Sequence, residues 1–165
     1  MARTATADKG APEPEPAIVE TLQAMTSVLA GVALRSLDVL GGAVTLAQFR
    51  VLAVLADLGP ARSGQVARAL GLEASTVTRL GDRLVGSGSV VRGSDPGHRG
   101  VVMLTLTPAG RDLVTRVRER RRQELARILA SLAPGDRRAA ARALRLLVEA
   151  AGEGYGSVTR RLVPL

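Results

Sequence analysis

The chain has no cysteine and no tryptophan, one histidine (His98), one lysine (Lys9) and only two aromatic residues, Phe49 and Tyr155. Each shortage removes a class of function. Without thiols there is no disulfide, no thiol-based peroxide switch and no thiolate metal site. One histidine cannot build a histidine-based zinc centre. Two aromatics are too few for the stacking platforms that hold single-stranded nucleic acid. No uninterrupted apolar run approaches the ~18 residues of a membrane span, and no signal peptide opens the chain. These two absences predict a cytoplasmic protein with no membrane partner. Paired carboxylates, a Ser-His-Asp set and a glycine-rich phosphate loop are also missing, so neither an enzyme nor a cofactor is expected.

What remains is apolar and basic. Hydrophobic residues make up 46% of 165 residues, ample for one domain plus an oligomerisation element. With so few aromatics the core must be Leu, Val and Ala, which suits close helix packing. Charge is unevenly spread. Residues 1–60 carry four bases and six acids, residues 61–111 seven arginines and three acids, and residues 112–165 twelve arginines and six acids. A slightly acidic start followed by a basic middle and C-terminal part suits a phosphate-binding surface.

Along the chain, residues 1–16, ending in Pro12-Glu-Pro14-Glu-Pro16, read as disordered. Apolar residues at Ile18, Leu22, Met25, Leu29, Val32, Ala33, Leu37 and Leu40 predict an amphipathic helix of about six turns, ended by Gly41-Gly42. Thr45 caps a second helix over 46–58, with Phe49, Leu52, Leu55 and Ala56 inward. Gly59-Pro60 stops it.

The segment 63–80 is the most informative. Ser63 is read as the cap of a short helix that brings Ala67 to a crossing point. Gly71 then supplies a position that accepts positive φ. Val66, Leu70, Leu72, Val77 and Leu80 fall where a helix-turn-helix needs inward apolar side chains. The second helix, running to about Gly86, keeps an outward face of Ser75, Thr76, Thr78, Arg79, Asp82 and Arg83, polar and cationic as a helix in the major groove must be. Two β-prone stretches, Ser89 to Arg92 and Val101 to Thr107, flank a loop rich in Gly, Pro and Asp, and read as a β-hairpin wing.

Thr107-Pro108 starts a long helix to about Leu132, ended by Pro134-Gly135. Asp136 caps a last helix with Ala140, Ala143, Leu144, Leu147, Val148 and Ala151 inward, and a loose tail follows from Tyr155. A helix over residues 18–40 spans ~35 Å, longer than the small central module. The terminal helices therefore project with unburied apolar stripes, which predicts a homodimer.

The order helix, helix, helix-turn-helix, wing, long helix, final helix resembles the multiple antibiotic resistance regulator (MarR) family of transcription regulators. The strings that carry the resemblance are Thr45-Leu-Ala-Gln-Phe-Arg-Val-Leu52, Ser75-Thr-Val-Thr-Arg-Leu-Gly-Asp-Arg-Leu84, Gly88-Ser-Val-Val-Arg92, Asp95-Pro96, Arg99 and Leu106-Thr-Pro-Ala-Gly110. It covers residues 17–152. It departs at His98-Arg99-Gly100, where the family often has an acid followed by two bases. His98 in that place suggests a pH-dependent phosphate contact, read by the DNA affinity of His98→Ala below and above the titration range of histidine.

The fold expected is mainly α: a winged helix-turn-helix over 45–119, with N- and C-terminal helices (17–44 and 120–153) forming a dimerisation region, a disordered segment 1–16 and a tail 154–165. The resemblance implies a homodimeric repressor on a pseudo-palindromic double-stranded operator with half-sites ~34 Å apart. Arg62, Ser63, Ser75, Thr76, Thr78, Arg79, Arg83, His98 and Arg99 are the DNA-binding candidates, with Arg79 assigned to a guanine edge. Arg92 is a candidate brace to Asp95. The resemblance also implies release by a small aromatic or phenolic effector, in a pocket lined by Met25, Leu29, Val32, Phe49, Leu52, Leu113 and Val117. The same residues admit an activator or dual regulator, or a winged-helix interaction module that has lost DNA binding.

Overall fold

The computed structural model describes residues 15–95 and 97–162, by their backbone alone at 95, 98–101 and 153–162. Most of the expected segment 1–16 therefore lies outside the described residues. The elements are α1 (Pro16–Arg35), a 3-10 turn (Asp38–Leu40), α2 (Leu46–Leu58), α3 (Ser63–Leu70), α4 (Ala74–Gly86), β1 (Val90–Asp95), β2 (His98–Leu106), α5 (Pro108–Ala130) and α6 (Pro134–Leu162). They are mainly helical with one two-stranded antiparallel sheet, a winged helix. The chain divides into two compact units, Met1–Gly31 and Val32–Leu165.

In the first unit, every residue of α1 from Pro16 to Ala30 is exposed. Ile18, Val19, Leu22, Met25, Val28 and Leu29 are all open to solvent. Within Pro16–Leu40 an 18-residue window reaches a mean hydropathy of 1.6, and the stretch is long and apolar enough to cross a membrane on length and composition alone. Counting uninterrupted apolar runs does not reveal this, because isolated polar residues such as Glu20, Gln23 and Thr26 break every run without lowering the mean much. The threonine hydroxyls are turned back onto the helix: Thr21 Oγ1 donates to Ala17 O at 2.8 Å and Thr26 Oγ1 to Gln23 O at 2.6 Å.

The second unit opens with a correction. The first helix does not run to Leu40 but ends at Arg35, because Ser36 is buried and its hydroxyl donates to Ala33 O at 2.6 Å, offering the backbone a competing partner. A 3-10 turn follows, and Gly41 at φ +56° closes it, a conformation that glycine adopts without strain. Thr45 caps α2 through a reciprocal pair with Gln48, at 2.8 and 3.3 Å.

Helix α2 is the centre of the unit. Phe49, Leu52 and Leu55 are buried as expected, but so are Val51, Ala53 and Val54, while Ala56 is exposed. A helix apolar on all sides belongs inside, and α3, α4, α5 and β2 pack around this one. The link from α2 to α3 also joins the sheet: Ala61 N donates to Leu104 O at 3.0 Å and Leu104 N to Ala61 O at 2.8 Å.

Thr107 caps α5, accepting from Gly110 N at 3.0 Å. Val114 and Val117 are buried against the core, but Ile128 and Leu129 farther along are exposed. Pro134 does not end a helix; it is the first residue of α6, where its missing N–H costs nothing. Asp136 lies in the first turn of α6 rather than capping it. Where a loose tail is expected from Tyr155, helical backbone continues to Leu162. Along α6 Leu144, Leu146, Leu147 and Val148 are all exposed.

Candidate nucleic-acid interface

Helices α3 and α4 are joined by Gly71, whose φ of +66° turns the chain while its N–H bonds Ala67 O. Val66, Ala67 and Leu70 of α3, and Val77, Leu80 and Leu84 of α4, are buried, with Leu72 partly so. Burying that side of α4 leaves Ser75, Thr78, Arg79, Asp82 and Arg83 exposed on the other, with Thr76 half-buried at its margin. Arg79 and Arg83 meet no acid among the described residues, so their cations are open to an external anion. Thr78 keeps only its lone pairs for a ligand, because its hydroxyl donates to Ala74 O at 2.9 Å.

At the start of α3 the cap differs from expectation. Arg62 is the capping residue and Ser63 the first of the helix. The Gln65 side chain reaches back to accept from Arg62 N at 2.9 Å, leaving Ser63 half-buried at a helix N-terminus, where backbone amides favour phosphate.

The wing is longer than expected. Gly93 and Ser94, read as loop, pair with Met103 and Val102, and the register shifts only between Ser94 and Asp95, which pairs with His98. Thus the turn is confined to a few residues. The side chains of His98 and Arg99 lie outside the described residues. The wing is tied to α4 by an ion pair that local periodicity does not disclose. Arg92 binds the Asp82 carboxylate, ten residues away in sequence; the side chain of Asp95, the expected partner of a brace, lies outside the described residues. Packing supports the same junction, since a Cβ at Gly81 of α4 would lie 3.4 Å from the Leu104 side chain.

The residues expected around an effector differ in burial. Val32, Phe49, Leu52 and Val117 are buried in packed surroundings, Leu113 is half-buried, and Met25 and Leu29 are exposed on α1. None of the seven lines either of two clefts that open on the second unit. One, of about 300 Å³, lies between α2, β2 and α5 and is lined by Leu55, Gly59, Thr105, Arg111, Val114 and Arg118 among others. The other lies along α5. Neither could be read from the sequence, because both combine residues more than forty positions apart.

A sequence model described as MarR family matches residues 44–99, the span from the start of α2 to the wing. Among solved structures, RV1404 from Mycobacterium tuberculosis is 35% identical over 88% of this chain and 99% of its own, with a TM-score of 0.76. A MarR family protein from Bacillus stearothermophilus is 27% identical over 84% and 97%, with a TM-score of 0.71. BpsR of Bordetella bronchiseptica, whose DNA binding is regulated by 6-hydroxynicotinic acid, is 26% identical over 84% and 97%, with a TM-score of 0.54. A comparison with curated proteins finds no match.

Proposed function

The chain belongs to the MarR family of DNA-binding transcription regulators, and from that premise we propose that it is a cytoplasmic, homodimeric, ligand-responsive repressor of a pseudo-palindromic operator. The observation that carries the reading is the division of α4 into one side buried through Val77, Leu80 and Leu84 and another presenting Ser75, Arg79 and Arg83. The relatives are regulators rather than enzymes. Dimerisation is supported by the apolar side chains that α1, the end of α5 and α6 leave exposed in the single chain. Ligand response is supported by the regulation of BpsR by a small aromatic acid.

In this reading Ser75, Thr76 and Arg79 meet base edges. Arg62, Ser63 and Arg83 meet phosphates. Thr78 contributes as an acceptor, and His98 and Arg99 serve the wing tip. A gel-shift titration on the chain's own upstream DNA, against an unrelated duplex at two salt concentrations, tests it. The expected preference for the upstream DNA is about three orders of magnitude. Arg79→Ala should cost about 2 kcal/mol of that preference and relax selectivity at one operator position. Arg99→Ala should weaken binding to both duplexes alike and flatten the salt dependence by about one unit. Equal, salt-sensitive binding of both duplexes by the parent would refute a sequence-specific operator in that DNA.

A further inference from the structure

The outward face of α4 carries an acid between two cations: Arg79, Asp82 and Arg83, all exposed. Side chains three or four positions apart on a helix are neighbours, so Asp82 has one cation of its own helix within reach, Arg79. Arg83, the next residue along, does not face it. The Asp82 carboxylate nevertheless goes elsewhere. Arg92 of β1 holds it, and Arg79 is left with no acid among the described residues.

The register of the wing delivers Arg92 to that place. Arg92 pairs with Leu104 across the sheet, so the two side chains stand on the same side of it. Leu104 is buried and lies against Gly81, where an added Cβ would be 3.4 Å from its methyl. Arg92 therefore emerges beside Asp82, which follows Gly81 in α4. The ion pair is not what fastens the wing. The bonds between Ala61 and Leu104, at 3.0 and 2.8 Å, and from Thr107 N to Ser89 O, at 3.1 Å, do so through the backbone. Both side chains of the pair are exposed, 42% for Arg92 and 53% for Asp82, and an exposed pair adds little to stability. Its consequence falls on DNA contact. A bare carboxylate on this face would oppose the phosphates as a like charge, and would draw the guanidinium of Arg79 onto itself.

We propose that Arg92 is a positioning residue for recognition: by occupying Asp82 from the wing it keeps that carboxylate off Arg79, and so leaves the Arg79 guanidinium free for a base edge. The DNA-bound step rests on the operator reading above; the partition of Asp82 between the two arginines is a property of the free chain.

Two single variants break the ion pair, and only one should harm recognition. Arg92→Gln releases Asp82 to take Arg79 and should lower the preference for upstream over unrelated DNA about tenfold, within the range of one base contact. Asp82→Asn leaves Arg79 free and should keep the preference. Adding Asp82→Asn to Arg92→Gln should restore it, Arg92→Lys should keep most of it, and Arg92→Gln added to Arg79→Ala should take away nothing more. Each variant should melt within a few degrees of the parent. Equal loss of preference in both single variants would make the pair a strut of the wing. Loss without rescue by Asp82→Asn would make Arg92 itself a base contact, and equal weakening on both duplexes would make it a phosphate contact. Each of these results overturns the proposal. The free chain is read by nuclear magnetic resonance, through the Arg79 Nε–Hε signal identified by its absence in Arg79→Ala. That signal should shift in Arg92→Gln and return when Asp82→Asn is added; a signal that stays in place also overturns the proposal. A parent that prefers neither duplex refutes the operator reading instead, and leaves the resonance measurement to decide where Asp82 goes.

Discussion

Gly110→Ala is expected to destabilise the protein by about 3 kcal/mol, the upper end of what overpacking costs, and to lower its melting temperature by about 10 °C. Gly110 is in the first turn of α5 and is buried. A Cβ built there lies 2.1 Å from the Ser89 carbonyl oxygen and 3.2 Å from a Leu106 methyl. The obstacle is backbone, so no rotamer change can clear it. Nor can the carbonyl easily move, because it accepts from Thr107 N at 3.1 Å while Ser89 N donates to Leu84 O at 2.9 Å. Thr107 Oγ1 in turn donates to Gly88 O at 2.8 Å. The end of α4, the start of β1, the end of β2 and the start of α5 therefore meet at one close approach that only glycine permits. Gly64→Ala, in the exposed first turn of α3 with nothing within 4 Å of its Cβ, is the control. It should be neutral or stabilise by up to about 1 kcal/mol through helix propensity. Equal melting of the parent and Gly110→Ala would show that the junction yields, and the expectation would be wrong.

That junction also marks the boundary of what the sequence discloses. Helix α2 over 46–58, the turn at Gly71, the burial of Val77 and Leu80 and the start of the long helix at Thr107-Pro108 are legible because each depends on residues within about one turn, where periodicity and helix-start chemistry act. The Asp82–Arg92 pair, the bonds between Ala61 and Leu104 and the close approach of Gly110 to Ser89 are not, because they are set by how elements pack. The same distinction explains the misjudged helix end at Ser36: nothing local shows that this serine is buried, and its burial is what turns the hydroxyl onto Ala33 O. For the candidate site, the exposed face of α4 is legible as the complement of its buried face. The cleft along α5 is not, since the sequence offers only a run of arginines there, and the cleft depends on the tertiary position of Asp57, which pairs with Arg118.

Leu147→Asp should abolish the proposed dimer while leaving the winged helix folded, and should lower operator affinity by two to four orders of magnitude, the range lost when two linked sites act singly. On α6, Leu144, Leu147, Val148 and Ala151 recur at helical spacing and form one stripe, although Leu147 is 41% and Val148 70% exposed in the single chain. Arg138, Arg142 and Arg145 recur at the same spacing on another side of the helix. A charged face beside an unburied apolar one is the pattern of a helix that buries one side against something else, and a stable interface of that kind removes about 1,600 Å² from water. In a two-fold interface each substitution counts twice, so two carboxylates would be forced into apolar surroundings at once. Sedimentation should report a monomer with the parent's helical circular dichroism. Leu46→Asp supplies the control: Leu46 is 49% exposed, at the start of α2 and away from the stripe, and its substitution should leave the assembly intact. Arg79→Ala, by contrast, should give up about 2 kcal/mol of operator preference and remain dimeric. If Leu147→Asp sediments as the parent does, the apolar face of α6 is not where the two copies meet.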